Sequence, residues 1–440
     1  MNYLPIVWLF ALCSTAFSPL LRAQALDVIE QQLVVEIDAR QEQSMSLLET
    51  AVNINSGSLN LAGVRAVGEL FARAFEEFGM ETEWLDGRAF NRAGHLVARY
   101  GSSGPHLLLI GHLDTVFEPD SPFQEFQRID ARYARGPGST DMKGGNVIIV
   151  EALRALKRTG ALDQMTVTVM LIGDEESSGQ PLELGRQALR QAADAADVAL
   201  GFEDGDGNPA TAVIARRGYT SWSLEVTGTP AHSSIIFSEE IGYGAVYEAA
   251  RILNAFRETL AGEPNLTFNP GVLLAGTQVD YDAATSRGSA FGKGNVIAEL
   301  ASASGDLRTL TIDQRERAKQ HMKQIVQSSL PGTHAELNFV DGYPPLAPST
   351  GNRRLLGIWD QASQDLGYGS VVAVDPAKAG AADISFTAGR VDMALDGLGL
   401  MGSGGHTLEE TADLSTLGSQ AKRAAVAMYR LLGVYADQPD

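Results

Sequence analysis

"MTVTVMLIGDEESSG" occupies residues 165–179. Its first half is a short apolar run rich in β-branched residues, the composition of a strand covered on both faces. The run passes directly into Asp174, Glu175 and Glu176. Adjacent residues on a strand point to opposite faces, so two neighbouring glutamates at its end should have different partners or different tasks. Working outward, "HLLLIGH" (106–112) is a second continuous apolar run, again a buried strand. Between the two lies "DMKGGNVIIVEALRALKRTG" (141–160), a helix with Lys157 and Arg158 in its last turn and Gly160 as its stop. From Leu61 to Phe78, Val64, Val67, Phe71, Ala74, Phe75 and Phe78 recur at helical spacing, and Gly79 ends the run. Strands alternating with helices predict an α/β fold whose mixed, largely parallel sheet is flanked by helices.

The pattern changes near residue 217. "GYTSWSLEVTG" (218–228) alternates polar and apolar, so one of its faces is wet. A helix at roughly 243–260 follows, then "GVLLAGTQVDY", "NVIAELASASGDLRTL", a second helix at 313–329 and a strand at 334–340. That β-α-β-β-α-β order is the ferredoxin-like plan. It predicts an inserted α+β unit over 218–338, with 26–217 and 339–440 forming one discontinuous domain.

Residues 1–25 read as an export signal, cleaved near Ala25. "IVWLFALCSTAF" is its apolar core, and Ala23-Gln24-Ala25 offers a small-x-small site. Its charge pattern is atypical, because no Lys or Arg precedes the core. Cleavage would remove Cys13, the only cysteine, leaving neither disulfides nor thiolate ligands. The mature chain is then expected in the periplasm or outside the cell, with no later run able to span a bilayer. A net charge of −20 argues against nucleic acid or anionic membrane as a partner, since phosphates would repel it.

Of seven histidines, two have a suggestive setting. His112 in "GHLDTV" follows a buried strand, and Asp114 two residues on lies on the same side of an extended chain, able to fix the imidazole tautomer. His406 in "GSGGHTLEE" sits in a glycine-rich loop. His95, His106, His321 and His334 read as surface or packing residues. Asp141, between a glycine-rich turn and a helix start, reads locally as a helix cap. Glu203 in "ALGFE" ends another apolar run. In open α/β sheets, ligands gather beyond the carboxyl ends of the strands, where His112, Glu175, Glu176 and Glu203 fall together. Burying such carboxylates is costly without counter-charge. A pair of divalent cations would resolve that cost, and two histidines with three carboxylates and no cysteine suit zinc.

In order along the chain, "GHLDTV", "ARGPGSTDMKGG", "IGDEESSG", "ALGFE", "GTPAHSS", "GDLR", "GAADISFTA" and "GSGGHTLEE" resemble the dinuclear-zinc exopeptidases that include glutamate carboxypeptidase, aminoacylase and desuccinylases. The resemblance extends from about Asp27 to Leu432. It implies two zinc ions per subunit, with cobalt or manganese as possible substitutes. Asp141 would bridge them, with a cis peptide to Met142; His112 and Glu203 would hold one ion, Glu176 and His406 the other. Asp114 would orient His112, and Glu175 would be the general base. His232 would supply the oxyanion donor across a homodimer interface, and the inserted unit would be lid and dimerisation domain. Arg308 resembles the family's carboxylate-gripping arginine, while Asn295 and Gly380 match substrate-side positions. The implied substrate is a small peptide or N-acyl amino acid with a free carboxylate.

Three departures bear on that substrate. Tyr343 stands where many carboxypeptidases of the group carry arginine, Ala381 and Ala382 precede Asp383 where glycine with serine or threonine is usual, and 280–294 is longer than the common connection. The leading expectation is an exported carboxypeptidase. An N-acyl-amino-acid deacylase is the second, and a non-catalytic periplasmic peptide- or metal-binding protein is the competitor from another class.

Overall fold

The computed structural model describes residues 25–282 and 285–436. The segment read as an export signal lies outside the described residues apart from Ala25. Among the described residues, no helix is long and apolar enough to cross a membrane.

Three helices open the fold, α1 (Val28–Asp38), α2 (Gln41–Val52) and α3 (Leu61–Glu76). Asp27 caps α1 by accepting from the Glu30 amide while Glu30 answers the Asp27 amide, a reciprocal box that fixes where the chain turns helical. Strands β1 (Glu81–Asp86), β2 (Gly94–Tyr100) and β3 (His106–His112) follow, then α4 (Gly144–Arg158), β4 (Thr166–Ile172), α5 (Gln187–Asp194) and β5 (Val198–Gly201). The chain then forms β6 (Gly218–Gly228), α6 (Gly244–Leu260), β7 (Thr267–Gly276), β8 (Gln278–Asp282), β9 (Arg287–Phe291), β10 (Leu300–Thr309), α7 (Ile312–Val326) and β11 (Thr333–Asp341). It returns through α8 (Thr350–Asp365), β12 (Met393–Leu395) and α9 (Ser415–Ala436).

The main sheet has the order β1-β2-β4-β3-β5-β12. β1, β2 and β4 pair antiparallel, whereas β4-β3, β3-β5 and β5-β12 are parallel. Leu107, Leu108 and Leu109 of β3 are fully buried although they alternate faces, because helices cover both sides of the sheet. α4 is buried almost throughout, which explains a run of apolar residues broader than one stripe.

The second sheet, β7-β10-β6-β11, is antiparallel throughout. This is the ferredoxin-like order. It packs Trp222, Leu224 and Val226 of β6 against Ala249, Ile252 and Phe256 of α6, forming a core separate from that of the main sheet. The long connection at 280–294 contributes to an extra hairpin, β8 with β9. Tyr281 anchors it to Ser304 of β10 through a 2.9 Å hydroxyl contact.

Two chain segments join the sheets, and they run side by side. Arg216 and Leu346 exchange backbone hydrogen bonds, Tyr219 N–H donates to the Tyr343 carbonyl, and Gly342 N–H to that of Tyr219.

Candidate metal centre

β3 and β4 are parallel and in register, with His112 opposite Ile172. Their ends therefore deliver His112 and the 174–176 segment to the same edge. Glu175 and Glu176 do not lie on the strand, as expected from sequence. β4 stops at Ile172, and the pair occupies the turn beyond it. The cause is Asp114, fully buried, whose two carboxylate oxygens accept from the Glu175 amide (3.0 Å) and the Glu176 amide (3.1 Å). Ser58 Oγ adds a third bond at 2.6 Å. This also changes the reading of Asp114 beside His112. The imidazole Nδ1 meets the Asp114 backbone carbonyl at 3.0 Å, with the carboxylate oxygen farther off at 3.5 Å. A carbonyl can only accept, so Nδ1 carries a proton, and Nε2 is the ring atom that faces the cluster.

Nε2 of His112 lies 3.0 Å from Asp141 Oδ1 and 3.7 Å from Glu203 Oε1. Nε2 of His406 lies 3.0 Å from Asp141 Oδ2 and 3.1 Å from Glu176 Oε2. Each oxygen of Asp141 thus faces a different histidine. Two donor groups, His112–Asp141–Glu203 and Asp141–Glu176–His406, share that one carboxylate. Asp141 is not a helix cap, because α4 starts only at Gly144; it belongs to a distorted turn with a cis peptide to Met142. His406 adopts a left-handed backbone (φ 61°), rare for a residue with a side chain and concentrated at functional sites.

The electrostatics test whether this donor set fits cations. Burial, then Glu203 and Asp383, drive the Glu175 carboxyl well above the ordinary range. Burial and Asp141 push Glu176 up to about 7 against the His406 hydrogen bond. Burial raises Glu203 as well, and burial with Asp141 and Glu203 raises Asp204 strongly. Asp141 runs the other way: burial works against its charge, but hydrogen bonds to His112 and His406 hold it below the ordinary range. Against burial at His112, the surrounding carboxylates raise both imidazoles, His406 to about 11. Two imidazoles facing five acids still leave Glu175, Glu176, Glu203 and Asp204 driven toward neutrality, the sign of a pocket short of positive charge. Divalent ions would supply it and keep the ligands ionised, so the residues present fit a pair of metal ions.

Two supports were not legible in the sequence. The buried Glu410 carboxylate accepts from the amides of Gly138 (2.9 Å), Thr140 (2.8 Å) and Asp141 (3.3 Å), tying the Asp141 turn to the loop that carries His406. Asn146 Nδ2 holds the His112 carbonyl at 2.6 Å. In "HTLEE" nothing separates Glu410 from exposed Glu409; only the fold does.

The other expected site residues lie elsewhere. His232 and Asn295 are neighbours, with the Ser233 amide donating to the Asn295 carbonyl and His232 bridging to Val296. They sit beyond the end of β6, an 11-residue strand roughly 33 Å long at about 3.3 Å per residue. Arg308 pairs with Asp306 (2.8 Å) at the other end of the same sheet, opposite Tyr219. The Gly380 carbonyl accepts from Arg216, which in turn holds Asp396 at 2.7 Å.

Paired donor groups on a shared carboxylate, with one glutamate left outside both, define a metal-dependent hydrolase of the peptidase or amidohydrolase class. The chain belongs to peptidase family M20/M25/M40, whose model matches residues 108–430. It is 25% identical over 385 residues to carboxypeptidase G2 of Pseudomonas sp. (strain RS-16), covering 86% of each chain. In fold it is similar to the aminopeptidase PepT from Bacillus cereus ATCC 10987, with a TM-score of 0.71 and 19% identity over 89% of this chain and 98% of that one. It is likewise similar in fold to the YXEP protein of Bacillus subtilis, described as a dinuclear metal binding peptidase of the M20 family. There the TM-score is 0.63 and the identity 16%, over 90% of this chain and 99% of that one.

Proposed function

We propose that this chain is an exported dinuclear-zinc hydrolase that cuts an amide bond next to a C-terminal amino acid, a carboxypeptidase of the glutamate-carboxypeptidase type. The observation that carries this reading is the position of Glu175. Its neighbour Glu176 belongs to a donor group, whereas Glu175 belongs to neither, so its carboxyl is not committed to a cation and can exchange a proton. Similarity to carboxypeptidase G2 over 86% of both chains supports the choice of substrate end.

Bound ions would supply Lewis acidity, acidifying water and polarising the scissile carbonyl. Asp141 would hold both, His112 with Glu203 one and Glu176 with His406 the other. Glu175 takes the proton of the attacking water and delivers it to the departing amine. Asp114 keeps both glutamates in place through their amides. The developing oxyanion needs a donor, and His232 of a second subunit fills that role. The length of β6 supports an assignment in trans, since it carries His232 away from its own chain's crossing segments. Arg308 grips the substrate carboxylate with its planar fork, Gly380 lines the substrate side, and Asn295, beside His232, joins them from the second subunit.

Hydrolysis of N-acyl amino acids is the second reading. Tyr343 favours it, because its hydroxyl is engaged by Arg186 at 2.6 Å and offers no cation for a second substrate carboxylate. The test is a library of dipeptides varied at the C-terminal residue, run beside matched N-acyl amino acids, with zinc stripped and restored. Zinc-dependent release of C-terminal residues supports the first reading, and release of acyl groups alone the second. A fully loaded chain that cuts neither set rejects both.

A further inference from the structure

Beneath the glutamate pair lies a buried polar bracket that no step above uses. Its centre is Arg186, fully buried at the start of α5. The guanidinium donates to Asp174 Oδ1 (2.6 Å), to Asp383 Oδ1 (2.6 Å), to Ser178 Oγ (3.2 Å) and to the Tyr343 hydroxyl (2.6 Å). A guanidinium has no acceptor. Tyr343 must therefore receive from Arg186, which leaves its own proton to give away. Ser178 Oγ lies within reach at 3.2 Å, and the Glu175 backbone carbonyl accepts from the hydroxyl at 3.3 Å.

We infer that Tyr343 is a positioning residue for Glu175, its hydroxyl completing a clamp on that residue's backbone. Asp114 holds the Glu175 N–H from one side and Tyr343 holds the Glu175 carbonyl from the other. These two groups flank the same Cα, so φ and ψ of Glu175 are both fixed and only its side-chain torsions stay free. A proton shuttle gains from such restraint, because misplacing a reacting group by an ångström costs on the order of 100-fold in rate. Tyr343 can hold this place because its ring packs independently of its hydroxyl, edge-on to Phe386 at 4.9 Å and stacked with Tyr219 at 6.2 Å. It follows β11 by two residues. The base is thus clamped from one of the two segments that join the sheets.

This inference rests on the reading of Glu175 as general base, and the test separates the two. Tyr343→Phe keeps the ring and leaves Arg186 with Asp174, Asp383 and Ser178 as acceptors. The metal-loaded variant should keep two ions per chain and a KM within about twofold, while kcat falls about tenfold, or about 1.4 kcal/mol. In a Glu175→Ala background the same substitution should have no further effect on kcat. Hydrogen exchange read by mass spectrometry supplies an answer independent of activity, with residues 173–178 exchanging faster and β4 unchanged. Unchanged kcat, unchanged exchange, or loss of metal would each overturn the clamp. A wild-type chain that cuts no substrate in the panel would overturn the functional reading instead, and exchange would still decide whether Tyr343 holds the segment.

Discussion

Asp114→Asn removes a single charge and almost no volume, and its cost can be worked from four contacts. One carboxylate oxygen, Oδ1, takes the Glu175 amide at 3.0 Å and lies 3.5 Å from His112 Nδ1. The other, Oδ2, takes the Glu176 amide at 3.1 Å and Ser58 Oγ at 2.6 Å. An asparagine has only one acceptor oxygen. Whichever way it turns, its NH2 faces one of the two glutamate amides, so at least one buried N–H loses its partner. An unmet buried donor costs about 1–3 kcal/mol, and the surviving bond also loses the assistance of the charge. The expected destabilisation is about 3 kcal/mol in urea unfolding of the metal-free chain. In the loaded enzyme, displacement of the pair should lower kcat by about 100-fold. Partial loss of metal should accompany it, because Glu176 is a proposed ligand and Glu175 is not. A variant that unfolds within about 0.5 kcal/mol of wild type and turns over within twofold would refute the claim that this carboxylate sets the pair.

The glutamates themselves should separate cleanly: Glu175→Ala retains two ions by elemental analysis but loses turnover by about 100- to 10,000-fold, whereas Glu176→Ala loses metal first. Equal metal loss in both would end the proposed division of labour. His232→Ala and Glu175→Ala, each inactive alone, should regain up to a quarter of wild-type activity when unfolded together and refolded, since one mixed site per heterodimer is intact. No recovery from a mixture shown to be dimeric by sedimentation would place His232 outside the partner's site. Asp341 offers a pH test remote from the metals. Burial works against its ionisation, but the Lys319 and Thr220 hydrogen bonds and Arg315 hold its carboxyl below the usual 3.8. Its contribution is present above the unfolded value and is lost as pH falls through the lower folded one. Asp341→Asn should therefore destabilise at pH 7, and the gap should close as the pH falls below 3.8 and through the lower folded value; a gap that does not narrow in acid would contradict the pairing.

The main sheet was legible because β3 and β4 are buried on both faces, which leaves nearly continuous apolar runs in 106–112 and 165–172. The inserted sheet was legible for the opposite reason: Trp222, Leu224 and Val226 alternate with wetted residues, and only one face meets α6 and α7. The order of the motifs proposes five donor residues but says nothing of how they meet. That Asp141 divides its oxygens between two histidines depends on loops from opposite ends of the chain meeting, and Glu410, which brings them together, looks like any surface acid. The placement of Glu175 and Glu176 was misjudged through strand periodicity. A fully buried aspartate 61 positions earlier captures the Glu175 amide and turns the chain out of the strand, a tertiary contact invisible to any local pattern. Tyr343 stands out in the sequence as a departure, but the partners of its hydroxyl exist only in three dimensions.

The paired crossing between the two sheets has a practical side. Because Tyr219 and Tyr343 are bonded neighbours rather than distant ends, the chain leaves the main layer and re-enters it roughly one inter-strand spacing away, about 5 Å. A tight two-residue turn could close that gap. Because the two cores are separate, a cut there leaves the main-sheet core unopened, and a foreign insertion could be joined to the same stalk. The inserted unit can be exchanged at this seam without touching the strand ends that carry the donor groups.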